Sequence, residues 1–225
     1  MNTELLTIDL DVPDEKIINL AKGQKKIKRL MDILISVIVL VFASPILFVA
    51  CIAIMVESKW SPIYRQERNG YLDRPFVAFK LRTMYADSSI GNLSAPKEGE
   101  PRVTKVGKFL RKTSIDELPQ FVNVLLGDMS ILGPRAVPKK ELELRVMKMT
   151  QHNPDGKNTF ERAMKIRSMV LPGISGMAQA YGRSSNSIEQ ATEYDVFYVL
   201  NYTLMLDVRI FFKSIETVLF RRGVN

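Results

Sequence analysis

From Ile33 to Val56 the chain carries no charged side chain. As a straight helix this stretch is about 36 Å long, enough to cross a hydrocarbon core of about 30 Å. That is too long for an ordinary core helix. It is also a poor signal peptide, because the apolar run is long and begins far from the N-terminus. The flanks are basic on both sides: Lys22, Lys25, Lys26, Lys28 and Arg29 precede the run, and Lys59, Arg65 and Arg68 follow it. Counting positive charges therefore gives no orientation. Ser44-Pro45 lies near the middle. A proline lacks the backbone donor and crowds the preceding turn, which predicts a kink there. Two readings stay open on these features: a single span with a tolerated proline, or a re-entrant helix that enters and leaves on one face. The flanking lysines favour an anionic leaflet in either case.

Around this run the chain divides into an arm (1–27), a membrane helix (28–58) and one domain of ordinary size (59–225). Residues 1–20 read as an arm of low order or a short interfacial helix. Residues 61–85 read as a strand pair: Val77, Phe79 and Leu81 alternate with Phe76, Ala78 and Lys80, and turn-prone Asn69-Gly70 precedes them. Residues 86–101, rich in Ser, Gly, Pro and charge, read as a mobile loop. From 103 to 112, Val103, Val106 and Leu110 share one helical face while Lys105, Lys108 and Lys112 mark another. Near the C-terminus Val208, Phe211, Phe212, Ile215, Val218 and Leu219 form an apolar stripe opposite Arg209, Lys213, Glu216 and Thr217. Such a helix either packs on the core or lies in a membrane interface.

Lys and Arg number 32 against 24 Asp and Glu, a net charge of +8 that suits an anionic partner. A nucleic-acid binder would show a recognised binding fold or a basic stripe with stacking aromatics, and neither is present. The single Cys51 excludes a disulfide framework and a cysteine zinc site within one chain. The single His152 sits in polar Gln151-His152-Asn153-Pro154 and reads as a solvated loop residue, which sets aside Ser-His-Asp and Cys-His chemistry. Neither a P-loop nor a dinucleotide-binding glycine motif occurs.

Chemistry concentrates in Arg111-Lys112-Thr113-Ser114-Ile115-Asp116-Glu117-Leu118-Pro119-Gln120. Ser114-x-x-Glu117 fits a capping box, so a helix is expected to start here, with Asp116 and Glu117 in its first turn. A helix N-terminus holds carboxylates ionised and attracts phosphate. The plain reading is a capped helix with acidic residues where its dipole favours them. The chemical reading is an ionised Asp116 beside cations, able to attack phosphorus or to bind Mg²⁺. The turn-rich segment Gly127–Arg135 ends in an arginine suited to phosphate, and Leu171–Gly176 is a glycine turn that permits close backbone approach to a ligand.

Read together, these segments resemble the bacterial sugar transferase family of monotopic phosphoglycosyltransferases. The resemblance runs from about Lys28 to the C-terminus. It rests on Lys28-Arg29-x-x-Asp32, Ser44-Pro45, Arg65-Gln66-Glu67-Arg68-x-Gly70, Phe79-Lys80-x-Arg82-x-Met84 and Arg102-Val103-Thr104-Lys105-Val106-Gly107-x-Phe109-Leu110-Arg111. It continues through Ser114-x-Asp116-Glu117-Leu118-Pro119-Gln120, Asn123-Val124-Leu125-x-Gly127-Asp128-Met129-Ser130, Gly133-Pro134-Arg135 and Pro172-Gly173-Ile174-Ser175-Gly176-x-Ala178-Gln179, all in order.

The resemblance implies an α+β, predominantly helical, monotopic protein. Its membrane helix would be re-entrant and kinked at Ser44-Pro45, with amphipathic interfacial helices and the catalytic domain on the cytoplasmic face of the bacterial inner membrane. It implies transfer of a sugar phosphate from a UDP-sugar to polyprenyl phosphate. Asp116 would be the nucleophile and a Mg²⁺ ligand, and Glu117 its partner. Arg111 and Arg135 would hold phosphates, with Lys80 and Arg82 as further candidates. The expected partners are the UDP-sugar, polyprenyl phosphate and the phospholipid membrane, with no nucleic acid; a homodimer is left open. A non-catalytic membrane scaffold of the same fold is the alternative, and it would be expected to have lost the acidic pair. The resemblance would make it one of the family's minimal members, without extra spanning helices. It departs from the usual Gly-Pro-Arg-Pro at Ala136, which removes a stiffening proline behind Arg135.

Overall fold

A computed structural model describes residues 10–85, 102–152, 156–181 and 187–219. The loop expected over 86–101 lies outside the described residues. The chain opens with one long helix, α1 (Asp14–Ser58). Pro13 precedes it and Asp14 and Glu15 occupy its first turn, where the helix dipole favours them. It closes at Lys59, which turns left-handed and returns its N–H to the Met55 carbonyl. The helix begins inside the stretch expected to be an arm, and Ile17 is packed into the core.

α1 continues through Pro45. Proline cannot supply the N–H that Val41, four residues back, would normally receive. Ser44 Oγ donates to that Val41 carbonyl at 2.8 Å. The serine hydroxyl thus satisfies the acceptor that the proline leaves open. From Lys25 to Ser58 the helix is long and apolar enough to cross a membrane, and Val41, Phe42, Phe48 and Val49 are 63–78% exposed. So much contiguous exposed apolar surface is foreign to a water-soluble monomer.

The remaining elements form an α+β domain. Strands β1 (Ile63–Asn69) and β2 (Pro75–Leu81) pair antiparallel, with Tyr64 opposite Lys80, through a tight turn over Tyr71–Asp73. Helix α2 (Lys105–Thr113), a 3₁₀ turn (Ile115–Glu117) and α3 (Gln120–Leu126) follow. Strand β3 (Ser130–Leu132) leads to α4 (Lys139–His152) and α5 (Lys157–Ser168). Strand β4 (Gly173–Ser175) pairs parallel with β3, and α6 (Met177–Tyr181), α7 (Ile188–Leu200) and α8 (Leu204–Leu219) complete the domain.

The parallel β3–β4 pair joins the two stretches read from sequence as turns. It also corrects the role of their glycines. A Cβ on Gly173 would lie 2.2 Å from the Gly133 nitrogen, and one on Gly176 would lie 2.2 Å from the Gly133 oxygen. These glycines let two backbones approach each other, not a ligand. His152 ends α4 instead of lying in a loop.

Two apolar clusters hold the domain. The larger centres on Met129, Ala163, Ile166, Met169, Val196 and Tyr198. The smaller joins Ala50 and Ile54 of α1 to Leu81 and Leu110. On α8 the buried face carries Ile210 and Thr217, whose hydroxyl donates to the Ala180 carbonyl. Phe212 of the expected stripe is 65% exposed and turns outward.

Both ends of the apolar helix meet this one domain. At the first end Lys28 pairs with Asp207 at 2.7 Å, Arg29 donates to the Val124 and Leu125 carbonyls, and Asp32 accepts from the Ile131 N–H. At the other, the Glu57 carboxylate accepts the Lys105 and Val106 N–H groups at 2.7 and 2.9 Å. There it caps the N-terminus of α2 as an anion should.

Candidate active site

Asp116 and Glu117 directly follow Ile115, which packs against the smaller cluster, but they do not lie in the first turn of a capped α-helix. Ser114 adopts a left-handed conformation (φ 57°, ψ 17°) because it closes α2, returning its N–H to Arg111. Its side chain makes no cap. The acidic pair lies on the short 3₁₀ turn that follows, and α3 starts after Pro119. The capping box read from Ser114 and Glu117 is therefore absent, and Glu117 is claimed by cations instead. Among the described residues a capping box does form between Ser187 and Gln190, at the start of α7.

Glu117 Oε1 accepts from Lys80 Nζ at 2.6 Å and from Arg135 Nη2 at 3.0 Å. Lys80 comes from β2, whose free edge is held by buried Asn123. That amide accepts from the Phe79 N–H and donates to the Val77 carbonyl, as a neighbouring strand would. Arg135 comes from the segment after β3. Arg111, near the end of α2, donates Nε to Thr83 Oγ1 at 2.8 Å. The approach of α2 to Thr83 is permitted by Gly107, where a Cβ would lie 2.1 Å from the Thr83 oxygen.

The two carboxyls are driven apart. Burial, then the neighbouring Glu117 charge, pushes Asp116 up to about 6 against the pull of Lys80 and Arg111. Burial also acts to raise Glu117, but Arg135 and Lys80 outweigh it and hold it at about 2. Burial lowers Lys80 while Glu117 opposes the loss of its charge. A pair of neighbouring acids with separated pKa values is a mark of a reactive site.

The structure thus brings together Lys80, Arg111, Asp116, Glu117 and Arg135 among the residues picked from sequence. Arg82 is elsewhere: its Nε donates to the Ser61 carbonyl and its guanidinium stacks over Tyr64. Arg68, read as a flanking charge and as part of a motif but given no site role, is a missed member. It is 9% exposed and donates Nη1 to the Ala136 carbonyl at 2.6 Å. Burial and the Arg135 charge lower it to about 10. Among the described residues no group of three or more His, Cys, Asp or Glu side chains could cage a metal. A divalent ion here would lean on Asp116 and take its other oxygens from phosphate and water, which is the habit of Mg²⁺.

Beside the site runs an apolar groove of about 670 Å³. Pro45, Val49 and Ala53 of α1 form one wall, and Val106, Phe109 and Ile115 the other. Ile115 immediately precedes Asp116.

Fold and site define a mostly helical α+β protein, compatible with monotopic membrane attachment, that gathers an acidic pair and several cations beside its apolar helix. Residues 23–221 match the family described as bacterial sugar transferase, and the chain belongs to that family. It is 37% identical over 193 residues to the UDP-glucose:undecaprenyl-phosphate glucose-1-phosphate transferase of Klebsiella pneumoniae, covering 84% of this chain and 39% of the relative. It is 38% identical over 199 residues to the UDP-N-acetylgalactosamine-undecaprenyl-phosphate N-acetylgalactosaminephosphotransferase of Aeromonas hydrophila, covering 86% and 44%. An uncharacterized sugar transferase, EpsL of Bacillus subtilis, is 37% identical over 201 residues, covering 88% and 90%. The chain thus aligns over about two fifths of the first two relatives and nearly all of the third.

Proposed function

We propose that this protein transfers a sugar-1-phosphate from a UDP-sugar to undecaprenyl phosphate, with release of UMP. The observation that carries the reading is the divided acidic pair, with Asp116 held near 6 and Glu117 clamped by Lys80 and Arg135. The names of the relatives supply the substrate classes.

In the first step an oxygen of ionised Asp116 attacks the phosphorus that bears the sugar. The bond from that phosphorus to the oxygen of UMP breaks, and UMP leaves with the electron pair. The sugar phosphate is then bound to Asp116 as a mixed anhydride. In the second step a phosphate oxygen of the lipid acceptor attacks the same phosphorus and releases the Asp116 carboxylate. Arg111 and Arg135 bind the diphosphate, whose charge would otherwise repel the nucleophile. Glu117 sets the positions of Lys80 and Arg135. Asp116 would be the side chain to hold Mg²⁺, and the ion would supply charge neutralisation at the diphosphate.

The membrane reading follows from α1. A straight helix from Asp32 to Glu57 is about 37 Å long, yet the same domain grips it at both points. This supports a re-entrant helix bent at Ser44-Pro45 that leaves the membrane on its side of entry, with the domain on the cytoplasmic face of the bacterial inner membrane. The apolar groove ending at Ile115 suits the prenyl chain of the acceptor. A scaffold without activity would have no use for the intact acidic pair and its cations. The test is UMP release from a panel of UDP-sugars with Mg²⁺ and undecaprenyl phosphate, with capture of labelled sugar phosphate on the protein. No adduct on Asp116 during normal turnover would refute the two-step route.

A further inference from the structure

The segment that carries Arg135 is tied down at every carbonyl from Pro134 to Val137. Pro134 O accepts from the Gly173 N–H at 2.9 Å and Val137 O from the Asn69 N–H at 3.1 Å. Between them, Arg135 O accepts from Arg167 Nη2, and Ala136 O accepts from Arg68 Nη1 at 2.6 Å. The two outer bonds are backbone pairings. The two inner ones use guanidinium groups removed from water, which is costly unless the group is well paired. The Arg167 side chain is 10% exposed and is so paired: Nε donates to Asp195 Oδ2 at 2.6 Å, and the Asp195 side chain is 6% exposed. A planar fork held on one side by Asp195 can point its other side in only a narrow range of directions.

The position of this clamp matters. Ala136 stands where the resembled pattern has a proline, so the ring does not restrict the backbone behind Arg135. The hydrogen bonds to the carbonyls of residues 135 and 136 supply that restriction instead. Arg167 and Arg135 also line a cavity of about 20 Å³, room for roughly one water and none for a nucleotide.

We infer that Arg167, oriented by Asp195, is a positioning residue: it grips the Arg135 carbonyl and thereby aims the Arg135 guanidinium at Glu117 and the substrate diphosphate. This rests on the function proposed above.

The test is a double-mutant cycle on the full chain in lipid nanodiscs, reading UMP release from a UDP-sugar that the wild type uses. Arg167→Gln should lower kcat/KM about 10- to 100-fold, mostly through KM for the UDP-sugar, because substrate phosphate meets a misaimed Arg135. In an Arg135→Gln background the same change should cost less than about 3-fold, since residues acting through one another are not additive. Arg167→Lys should recover part of the loss, as the ammonium keeps the charge but lacks the planar fork that reaches the carbonyl and Asp195 together. Asp195→Asn, which keeps an acceptor for Arg167, is the milder variant where Arg167→Gln folds poorly. It should show a loss of about 3- to 10-fold that again disappears with Arg135→Gln. Losses that multiply in the double variants would overturn the inference. So would losses that vanish once rates are divided by the folded fraction. A wild-type chain that releases no UMP would overturn the proposed function, and this inference with it, without recourse to any variant.

Discussion

Two of the buried clusters that pair acids with bases in this domain differ in the sign of what is left over. Beneath the first end of the apolar stretch of α1, Lys28 meets Asp207, Asp207 also accepts from Tyr198 at 2.7 Å, and Asp32 lies nearby. Burial raises the Asp207 carboxyl despite Lys28, and Asp32 adds to the rise. Carboxylates outnumber the lysine, so the cluster has no surplus positive charge for an anion. Around Glu117 the balance reverses. Lys80, Arg111, Arg135 and Arg68 outnumber Asp116, Glu117 and nearby Glu141, which itself pairs with Arg145, and Glu117 is held at about 2. Both clusters are dry enough for charge to count, but only the second has cation capacity left for a phosphate. Burial and ion pairing alone do not mark a reactive site; the unspent charge does.

Four measurements can break that contrast or sharpen it. The largest effect belongs to Asp116→Asn, which should lower UMP release by at least roughly 10³-fold and abolish the covalent adduct, while the protein still folds. Next, Arg135→Gln should lower kcat/KM by roughly 10²-fold; a loss under 3-fold would mean that the surplus charge is not used. Third, single-turnover UMP release without acceptor should follow the ionised fraction of Asp116. The sign is set by its raised pKa: the reactive anion dominates above about 6, and the rate should fall about tenfold per pH unit below it. Glu117, lowered to about 2, stays ionised throughout that window. A limb near 4 would show that burial does not perturb Asp116. The smallest effect on activity is expected from Lys28→Met. It should lower thermal stability by about 2 kcal/mol, the scale of a hydrogen bond to a charged group, and change the rate per folded molecule by less than 3-fold. A rate loss as large as that of Arg135→Gln would erase the distinction between the clusters.

Much of this was legible in the residues. The uncharged run beginning at Ile33 demanded a long apolar helix, and alternation around Val77–Leu81 demanded a strand. Asp116 and Glu117 stood out beside Arg111, and Lys80 and Arg135 came from motif pieces. The misreadings share a cause. Ser114-x-x-Glu117 has the letters of a capping box, but α2 ends at Ser114 and forces it left-handed. Strands β3 and β4 are three residues each and pair across α4 and α5, too short for periodicity to register. Arg82 shares β2's neighbourhood with Lys80, yet Ser61 and Tyr64 hold it away from the acidic pair.

The sequence by itself determined which segments must leave water and which residue types could handle phosphate, because hydropathy and side-chain chemistry are local properties. Only the tertiary structure decided that Glu117 is spent on Lys80 and Arg135, and that Arg68 and Arg167 hold carbonyls far along the chain. It also placed both ends of α1 on one domain. A pKa or a clamp depends on how many charges share a few ångströms of dry space, and that distance is set by packing between segments remote in the chain.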